Sequence, residues 1–389
     1  MDIFVCYCEE WETRLVTSKQ HYIRRLAKDN SRVIYAEVPK SIFHILISKK
    51  ILNNIYNFLF EERFYQSEEN IWVMKSYTLF PYSRKLRLFD TELLNKLNQL
   101  SLLNQIKKCF KKIEFKDPVL ISYYPFIHPV IKKINFKKII FHVVDNWMAF
   151  NVPRSMSSLI EKMTITADVT ITSSSNMHKE LNKFSEDVYL LDHGTDLDLF
   201  KPVINFEIKE HKLIHDMKKP IIGYYGALHK IDFNLVSEVS KIHHDKSFIF
   251  IGPISGEQGI KEDLNLQKNV FLFESICREE LPNILVGLDL FWMPFKNDEI
   301  TKYMLPIKLF EVLSAGLPVI SSDLPESRRV AKDLVNYAKD VEGFSELIGH
   351  CINDNNKDLR YHRALSMQQY DWNERYKIFK NHIIRDKNE

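Results

Sequence analysis

The sequence has few cysteines and no long apolar run. Its five cysteines (Cys6, Cys8, Cys109, Cys277 and Cys351) are scattered, odd in number and form no Cys-x-x-Cys pair. This pattern indicates a reducing compartment and argues against a structural zinc site. No apolar run approaches the roughly 18 residues that span a bilayer. The opening residues lack a basic region before their apolar part, so they predict a first strand and not a signal peptide. We therefore expect a cytoplasmic protein.

Glycine and proline are also scarce, at 10 and 14 of 389 residues, while 45% of the residues are apolar and 27% are charged. This composition is typical of a globular protein and argues against extensive disorder. A chain of this length exceeds one ordinary hydrophobic core, and it therefore predicts two domains.

The net charge is only +3, but residues 81–138 hold 13 Lys and Arg against 4 Asp and Glu, a local excess of +9. A solvated helical face explains this excess most simply, and the alternative is a surface that docks on anionic lipid. The apolar segment 41–64, with its Lys49-Lys50 pair, is compatible with an interfacial amphipathic element. The basic residues form no recognisable binding motif for nucleic acid, so we expect no nucleic-acid partner.

Apolar runs typical of strands alternate with helical stretches along the chain. In the first half the candidate strands are Ile3–Cys8, Val33–Val38, Ile71–Ser76, Val119–Tyr123, Ile139–Val144, Val169–Thr172 and Val188–Leu191. After Phe200 the pattern restarts with Ile221–Tyr225, Ser247–Ile251, Val270–Phe273, Leu288–Met293 and Pro318–Ser321. The alternation predicts an α/β fold with two doubly wound parallel sheets and a cleft between them. The polar stretch 201–219 is the candidate linker.

The most specific local pattern is Leu305–Asp323, where an amphipathic helix leads into a short buried strand. Pro306 suits the first helical position, and Gly316 suits the helix end. Lys308 and Glu311 lie three residues apart in the first turns, so both project near the helix mouth. A helix N-terminus with an adjacent lysine is a natural seat for a diphosphate.

Four segments resemble, in order, the signatures of the retaining GT-B glycosyltransferases typified by bacterial lipopolysaccharide, capsule and sucrose-synthase-type enzymes. They are LDHGTDLDLFKP (191–202), IIGYYGAL (221–228), NVFLFESICREELPNIL (269–285) and PIKLFEVLSAGLPVISSD (306–323). The chain departs from the family at Tyr303, where a first glutamate is common, and at Ala227, where an arginine is common. Its Pro-x-Lys-x-x-Glu pattern is most similar to a bacterial surface-polysaccharide subgroup.

The resemblance implies a GT-B fold, in which two doubly wound Rossmann-like domains face a central cleft. On this basis we expect an acceptor-binding domain at 1–200 and a nucleotide-sugar donor domain at 201–365. The C-terminal helix within 366–389 is expected to return to the first domain.

The resemblance also implies the donor contacts. Gly226 would let the backbone approach the phosphates, and Lys308, at the Pro306 end of its helix, would be the phosphate cation with Lys230 as second choice. Glu311 would accept hydrogen bonds from the ribose hydroxyls, and the Ser275-Ile276 loop would line the base. The alternative for either lysine is an ordinary surface residue, and the alternative for Glu311 is a solvent-facing helix carboxylate.

The acceptor side is less specific. Asp145 follows a candidate strand, where a ligand crevice lies in doubly wound folds, although a turn or cap role is an equal alternative. Tyr124 would form an aromatic wall or a structural turn. His193 would be a hydrogen-bonded structural histidine or a ligand contact. In a retaining mechanism the leaving phosphate itself would deprotonate the acceptor, with Asp145 assisting.

The favoured hypothesis is a retaining, metal-independent sugar transferase in cell-surface polysaccharide synthesis, without a cofactor. Its partners would be a nucleotide-diphosphate sugar, a saccharide or lipid-linked acceptor, and the anionic inner face of the plasma membrane. Two alternatives stay open. One is a nucleotide-sugar epimerase or hydrolase on the same fold, and the other is a non-catalytic nucleotide-sugar-binding protein. The sequence does not identify the nucleotide, the sugar or the acceptor.

Overall fold

The computed structural model describes residues 1–12, 16–47, 51–81, 92–147, 156–253, 267–353 and 356–384. Contacts between Cα atoms divide the chain into two compact units. The first holds Met1–Thr13, Thr17–Leu191 and Tyr376–Glu389, and the second holds Arg14–Val16 and Asp192–Arg375. The division thus follows Leu191 and not residue 200, and residues 366–375 belong to the second unit.

The first unit is built on an eight-stranded sheet of order β10-β9-β8-β7-β1-β2-β5-β4, parallel except for the β4–β5 pair. A separate pair, β3 and β6, is also parallel. The strands are β1 (Asp2–Cys8), β2 (Arg32–Glu37), β3 (Lys40–Ser41), β4 (Phe64–Glu68), β5 (Ile71–Met74), β6 (Tyr77–Thr78), β7 (Val119–Ser122), β8 (Lys138–Val143), β9 (Val169–Thr172) and β10 (Val188–Leu190). Every residue of β1 is buried, as expected for a central strand covered on both faces.

Helices separate most of these strands. They are Ser18–Lys28, Ile42–Ile47, Ile51–Phe60, Glu92–Lys112, His128–Ile131, Met156–Thr166 and Ser175–Leu181, with a 3-10 turn at Pro125–Ile127. Because β1 pairs with β2 on one side and with β7 on the other, the chain leaves the middle of the sheet in both directions. The carboxyl ends of β1 and β7 therefore mark a topological switch point, where α/β proteins bind ligands.

The second unit has a six-stranded parallel sheet of order β13-β12-β11-β14-β15-β16. Its strands are β11 (Ile221–Tyr225), β12 (Ser247–Ile251), β13 (Val270–Phe273), β14 (Leu290–Met293), β15 (Val319–Ser322) and β16 (Asn336–Ala338). β11 pairs with both β12 and β14, so its carboxyl end is the switch point of this sheet. The two-domain Rossmann-like fold class expected from the sequence is confirmed.

The helices of the second unit are Leu197–Ile204, Phe233–Ile242, Leu281–Leu285, Ile307–Ser314, Pro325–Ala331, Val341–Asn353, Lys357–Ser366 and the start of Trp372–Ile384. 3-10 turns occur at Leu228–Lys230, Arg278–Glu280, Thr301–Tyr303, Lys332–Leu334 and Gln368–Tyr370.

The stretch 201–219 is not the linker that its polarity suggested. Val203 and Ile214 are fully buried members of the core of the second unit. The His211 amide donates to the Asn283 carbonyl at 2.9 Å. The burial of Val203 and Ile214 thus packs this polar segment against the core of the second unit. The apolar area that they bury stabilises the packing, while their polar neighbours stay at the surface.

The C-terminal helix Trp372–Ile384 contributes to the core of the first unit through its second half. Phe379 is fully buried and stacks on Tyr22 with ring centroids 4.3 Å apart. The Tyr376 hydroxyl and the Lys380 ammonium group each donate to the Asp29 carboxylate at 2.6 Å. Among the described residues, no helix is long and apolar enough to cross a bilayer.

Candidate nucleotide-sugar site

The helix Ile307–Ser314 begins one residue later than expected, because Pro306 is the N-cap residue with extended ψ of 126°. Its end is a Schellman motif, in which the Gly316 amide donates to the Leu313 carbonyl and the Leu317 amide to the Val312 carbonyl. Gly316 has φ +76°, a left-handed conformation that favours glycine. The two ends fix the helix between the cavity described below and β15.

Lys308 lies against the turn that follows β11. Gly226 in this turn has φ +128°, and a Cβ atom added there would lie 2.7 Å from Lys308 Cε. A Cβ added to Gly252, at the end of β12, would lie 1.9 Å from the Gly226 carbonyl oxygen. Gly226 and Gly252 directly follow the neighbouring strands β11 and β12. Because neither has a side chain, the two backbone turns and the Lys308 side chain approach one another closely at the switch point.

The ammonium group of Lys308 lies 5.1 Å from the ring centroid of Tyr224 and 5.9 Å from that of Phe295. Burial and then the positive charge of Lys230 lower the pKa of Lys308 to about 7, and the carboxylate of Glu311 partly opposes both effects. Lys230 itself ends the 3-10 turn Leu228–Lys230, with its Nζ 3.4 Å from Met304 Sδ. The two predicted cations therefore act on one another across the same turn.

Glu311 is buried, with 8% of its surface exposed, and it is held by groups that the sequence did not single out. The Tyr225 hydroxyl donates to Glu311 Oε2 at 2.6 Å. Arg278 Nε lies 3.9 Å from Glu311 Oε1, and Arg278 Nη1 lies 3.4 Å from Asp196 Oδ2. Glu311 is thus an oriented carboxylate and not the solvent-facing residue of the alternative interpretation.

A cavity lies beside Glu311 at the carboxyl ends of β11, β12 and β13. Its lining includes Gly226, Gly252, Ser275, Ile276, Arg278 and Glu311. The structure therefore brings Gly226, the 275–276 loop and Glu311, three of the predicted donor contacts, to one cavity. Lys308 and Lys230 lie beside the same glycine turn without lining this cavity.

His193 is buried, with 7% of its surface exposed, in the stretch that opens the second unit. A Cβ added to the adjacent Gly194 would lie 2.7 Å from the Trp372 ring. The Thr195 amide donates to the Tyr370 carbonyl, and the Trp372 amide donates to the Thr195 carbonyl. The cavity lining does not include His193 among the residues described, and its surroundings fit the structural role.

Asp145 and Tyr124 belong to the first unit, so the two residues expected to be catalytic, Asp145 and Lys308, lie in different units. Asp145 is half-buried beyond the end of β8. Tyr124 meets Trp147 edge to face with centroids 4.3 Å apart. Burial and then the Asp145 charge raise the pKa of Tyr124 to about 12.

A buried lysine that the sequence did not single out accompanies these residues. Lys19, in the helix Ser18–Lys28, has 3% of its surface exposed and pairs with Glu9 at 2.5 Å. Its ammonium group lies 5.2 Å from the ring centroid of Tyr123. Burial lowers the pKa of Lys19, but the Glu9 carboxylate and weaker partners including Asp145 together outweigh burial. The pKa of Lys19 is therefore raised overall. The switch point of the first sheet is therefore polar and charged.

Sequence reasoning missed Arg278, Tyr225, Gly252 and Asp196. Arg278 and Asp196 lie inside segments whose resemblance was recognised, but nothing in their immediate neighbours marks either as a contact. Tyr225 is the last residue of an apolar strand, where a tyrosine is ordinary. Among the described residues, no group of three or more His, Cys, Asp and Glu side chains is arranged to hold a metal ion.

The segment that holds this site is similar to a known protein family. Residues 219–354 match the family model "Glycosyl transferases group 1". The chain is 27% identical over 221 residues to TuaH of Bacillus subtilis (strain 168), a glycosyltransferase named for teichuronic acid biosynthesis. That similarity covers 53% of this chain and 54% of TuaH, so it spans about half the length of that relative.

Solved structures match the chain over nearly its whole length. Sucrose-phosphate synthase from Thermosynechococcus elongatus has a TM-score of 0.71 at 12% identity and covers 98% of this chain and 97% of its own. A trehalose-6-phosphate protein of E. coli bound to UDP-2-fluoro glucose has a TM-score of 0.71 at 11% identity, over 100% and 99%. Anabaena HepE in complex with UDP-glucose has a TM-score of 0.67 at 12% identity, over 98% of both chains. Residues 219–354 are therefore similar to the group 1 glycosyl transferases, and the chain has the two-domain GT-B fold of these solved structures.

Proposed function

We propose that this protein transfers a sugar from a nucleotide-diphosphate sugar to a saccharide acceptor during the synthesis of a bacterial surface polysaccharide. The observation that carries the proposal is the placement of Lys308 and Glu311. Both lie on one helix beside the Gly226 turn, at the switch point of a group 1 domain. A cation and an oriented carboxylate at this spacing match the two ends of a nucleoside diphosphate.

Sugar transfer requires a diphosphate whose negative charge grows as the bond to the sugar breaks. Lys308 would place a cation beside that charge, and Lys230 would add a second cation on the same turn. Gly226 and Gly252 leave the backbone free of side chains here, so phosphate oxygens would reach backbone amides. Charge stabilisation of this kind strengthens as the leaving group forms, which is the condition for catalysis.

The nucleoside would occupy the cavity beside Glu311. A carboxylate accepts hydrogen bonds from the two ribose hydroxyls, and Tyr225 orients it by occupying one oxygen. The loop at Ser275 and Ile276 would line the base. These contacts bind ground state and transition state alike, so they would set affinity more than turnover.

On the acceptor side we propose transfer with retention of configuration and without a metal ion. The departing phosphate would take the proton of the acceptor hydroxyl on the same face of the sugar. Asp145 would orient that hydroxyl by accepting a hydrogen bond, and Tyr124 would offer an aromatic wall for a sugar ring. The printed names of the relatives support the substrate class: TuaH is named for a surface polymer, and HepE binds UDP-glucose.

The finer part of the proposal is a cytoplasmic location with contact to an anionic membrane surface and a lipid-linked acceptor. The helix Ile51–Phe60 supports it, since Tyr56, Leu59 and Phe60 are 63%, 62% and 70% exposed. Exposed rings and leucines of this kind insert at a lipid interface when lysines flank them. Lys49, Lys50 and residues 82–91 of the basic segment lie outside the described residues.

The membrane contact is tested by sedimentation with vesicles of phosphatidylglycerol and of phosphatidylcholine. We expect binding to the anionic vesicles that falls in the double variant Leu59→Ser, Phe60→Ser. Ile165→Ser is the matched control, because Ile165 is 60% exposed on another helix of the same unit. Equal binding by all three proteins would contradict the proposal.

The reaction is tested by following nucleoside diphosphate release from a panel of nucleotide sugars, with and without saccharide acceptors. Release that depends on an acceptor and is lost in Lys308→Ala supports the transferase. Release without an acceptor sugar indicates a hydrolase, and conversion of the donor without release indicates an epimerase. Tight donor binding with no turnover under any condition indicates a binding protein.

A further inference from the structure

Arg278 is a polar residue of the cavity whose hydrogen-bonding capacity is largely unused. Its side chain is only 13% exposed. Its Nε and Nη2 atoms are buried and have no hydrogen-bond partner among the described residues. Its Nη1 atom makes one long contact, 3.4 Å to Asp196. Buried donors are almost always paired in proteins, so unpaired ones in a ligand cavity indicate a group that arrives with the ligand.

The charges around Arg278 indicate which kind of ligand group would pair with its free donors. Carboxylates of Asp196 and Glu311 lie at 3.4 and 3.9 Å from the guanidinium, so one positive charge faces two negative ones. A phosphate would meet no net positive charge here. Lys308 and Lys230, at the Gly226 turn, are better placed for that role. Arg278 therefore offers N–H donors in neutralised surroundings, which suits a neutral acceptor such as a carbonyl oxygen.

The position of Arg278 in the chain points to the base. It opens the 3-10 turn Arg278–Glu280, directly after the 275–276 loop that lines the same cavity. Asp196 is itself fixed, since its carboxylate also accepts from the Leu199 amide at the start of the helix Leu197–Ile204. The Arg278 side chain is thus anchored at one nitrogen, and its other donors lie beside the part of the cavity that the base would fill.

We propose that Arg278 selects the nucleotide by donating to a carbonyl oxygen on the edge of its base. The inference rests on the proposed function, since it assigns the donor class of the same site. Uracil and thymine carry such an oxygen at position 4 and guanine at position 6, where cytosine and adenine carry amino groups. A side chain that only donates hydrogen bonds accepts the carbonyl and opposes the amine, because two donors would then meet.

Matched nucleotide pairs test this. UDP and CDP differ in carbonyl against amine at position 4, and IDP and ADP in carbonyl against amine at position 6. In each pair the adjacent ring nitrogen changes as well, from an N–H donor to an acceptor. We expect the purified full-length protein to bind the carbonyl member of at least one pair more tightly by roughly ten-fold, the discrimination typical of a good base contact. Isothermal titration of each nucleotide gives the ratio.

Arg278→Gln is the informative variant, because an amide side chain both donates and accepts and so pairs with either base. We expect its carbonyl preference to fall to about two-fold or less. Lys308→Ala is the matched control, and it should weaken both members of a pair equally. If Arg278→Gln does not fold, as judged by its melting curve, Arg278→Lys replaces it. Lys retains the charge but lacks the planar fork, so the preference should shrink without vanishing.

The outcomes separate the two proposals. A carbonyl preference that is lost in Arg278→Gln supports the role of Arg278. Nucleotide binding with no preference, or with a preference that the Arg278 variants leave unchanged, overturns that role while leaving the sugar-transferase proposal standing. Failure of the wild-type protein to bind any nucleotide removes the proposed function and the role of Arg278 with it.

Discussion

The depressed pKa of Lys308 predicts that donor binding is coupled to proton uptake. In the free protein burial and Lys230 lower this pKa to about 7, so at pH 7 about half of the molecules carry a neutral amine. A diphosphate contributes two negative charges close by. At about 4 Å and an effective dielectric constant of about 20, each charge favours the ammonium form by about 4 kcal/mol. The diphosphate therefore raises the pKa of Lys308 strongly in the complex, and Lys308 is protonated there.

The amount of uptake follows from the free-state pKa. Binding should take up about 0.1 proton at pH 6, about 0.5 at pH 7 and about 0.9 at pH 8. The sign follows from linkage: the complex binds more protons than the free protein, so affinity falls as pH rises. Between pH 7 and pH 8 it should fall by about five-fold, and below pH 6 it should be nearly constant.

The assay is isothermal titration with a nucleotide sugar in buffers of different ionisation enthalpy, where the slope of observed enthalpy against buffer enthalpy gives the protons taken up. A nucleotide sugar is preferable to a nucleoside diphosphate because its diphosphate does not itself titrate near neutral pH. Lys308→Arg should bind without uptake, since a guanidinium stays protonated. Lys230→Gln should reduce the uptake at pH 8, because it removes a charge that lowers the Lys308 pKa. A wild-type protein that binds the donor at pH 8 with no proton uptake would refute this reasoning.

Three further predictions concern local packing. Gly226→Ala should weaken donor binding by at least about ten-fold and lower the melting temperature, because φ is +128° and the new methyl group meets Lys308. Gly349→Ala, in a helix with open space, should instead stabilise by about 0.5–1 kcal/mol, and thermal unfolding compares the two. Phe379→Ala should destabilise the first unit by about 3–5 kcal/mol in urea titrations, whereas Ile378→Ala, 38% exposed on the same helix, should cost far less. Tyr225→Phe should weaken donor binding by about five- to ten-fold in titrations, because buried Glu311 loses its orienting hydroxyl, and unchanged affinity would place Glu311 outside the site.

Much of the fold was predictable because its central strands are apolar runs buried on both faces. β11, β12 and β13 have the bounds that the sequence predicted. β4 and β16 were missed for a physical reason. β4 lies at the antiparallel edge with a half-exposed pattern, and β16 has only the three residues Asn336–Ala338. Neither edge strand needs the continuous apolar run that marks a central parallel strand.

The site residues also fall into two groups, those that the local sequence marks and those whose contacts are distant in sequence. The helix of Lys308 and Glu311 was recognisable because its cap, its spacing and its Gly316 turn are all local in sequence. Arg278 was not recognisable, because its place in the site depends on Asp196, 82 residues before it, and on the Glu311 carboxylate, which the fold brings from another helix. The contact of Lys19 with the Tyr123 ring likewise depends on the pairing of β1 with β7. Contacts between distant segments are the part of a site that one sequence leaves open.

The distribution of charge in the second unit suggests how one small site could bind both a charged diphosphate and a neutral base. At the Gly226 turn, burial and then repulsion by Lys230 lower the pKa of Lys308, and this keeps Lys308 partly neutral until a diphosphate arrives. At the base end, Arg278 is already neutralised by carboxylates and contributes direction without charge. Glu311 belongs to both ends, since it favours the charged form of Lys308 and lies beside Arg278. Glu311→Ala should therefore lower the affinity for a nucleoside diphosphate more than the affinity for free pyrophosphate, as measured by titration, because only the nucleoside uses the carboxylate as an acceptor.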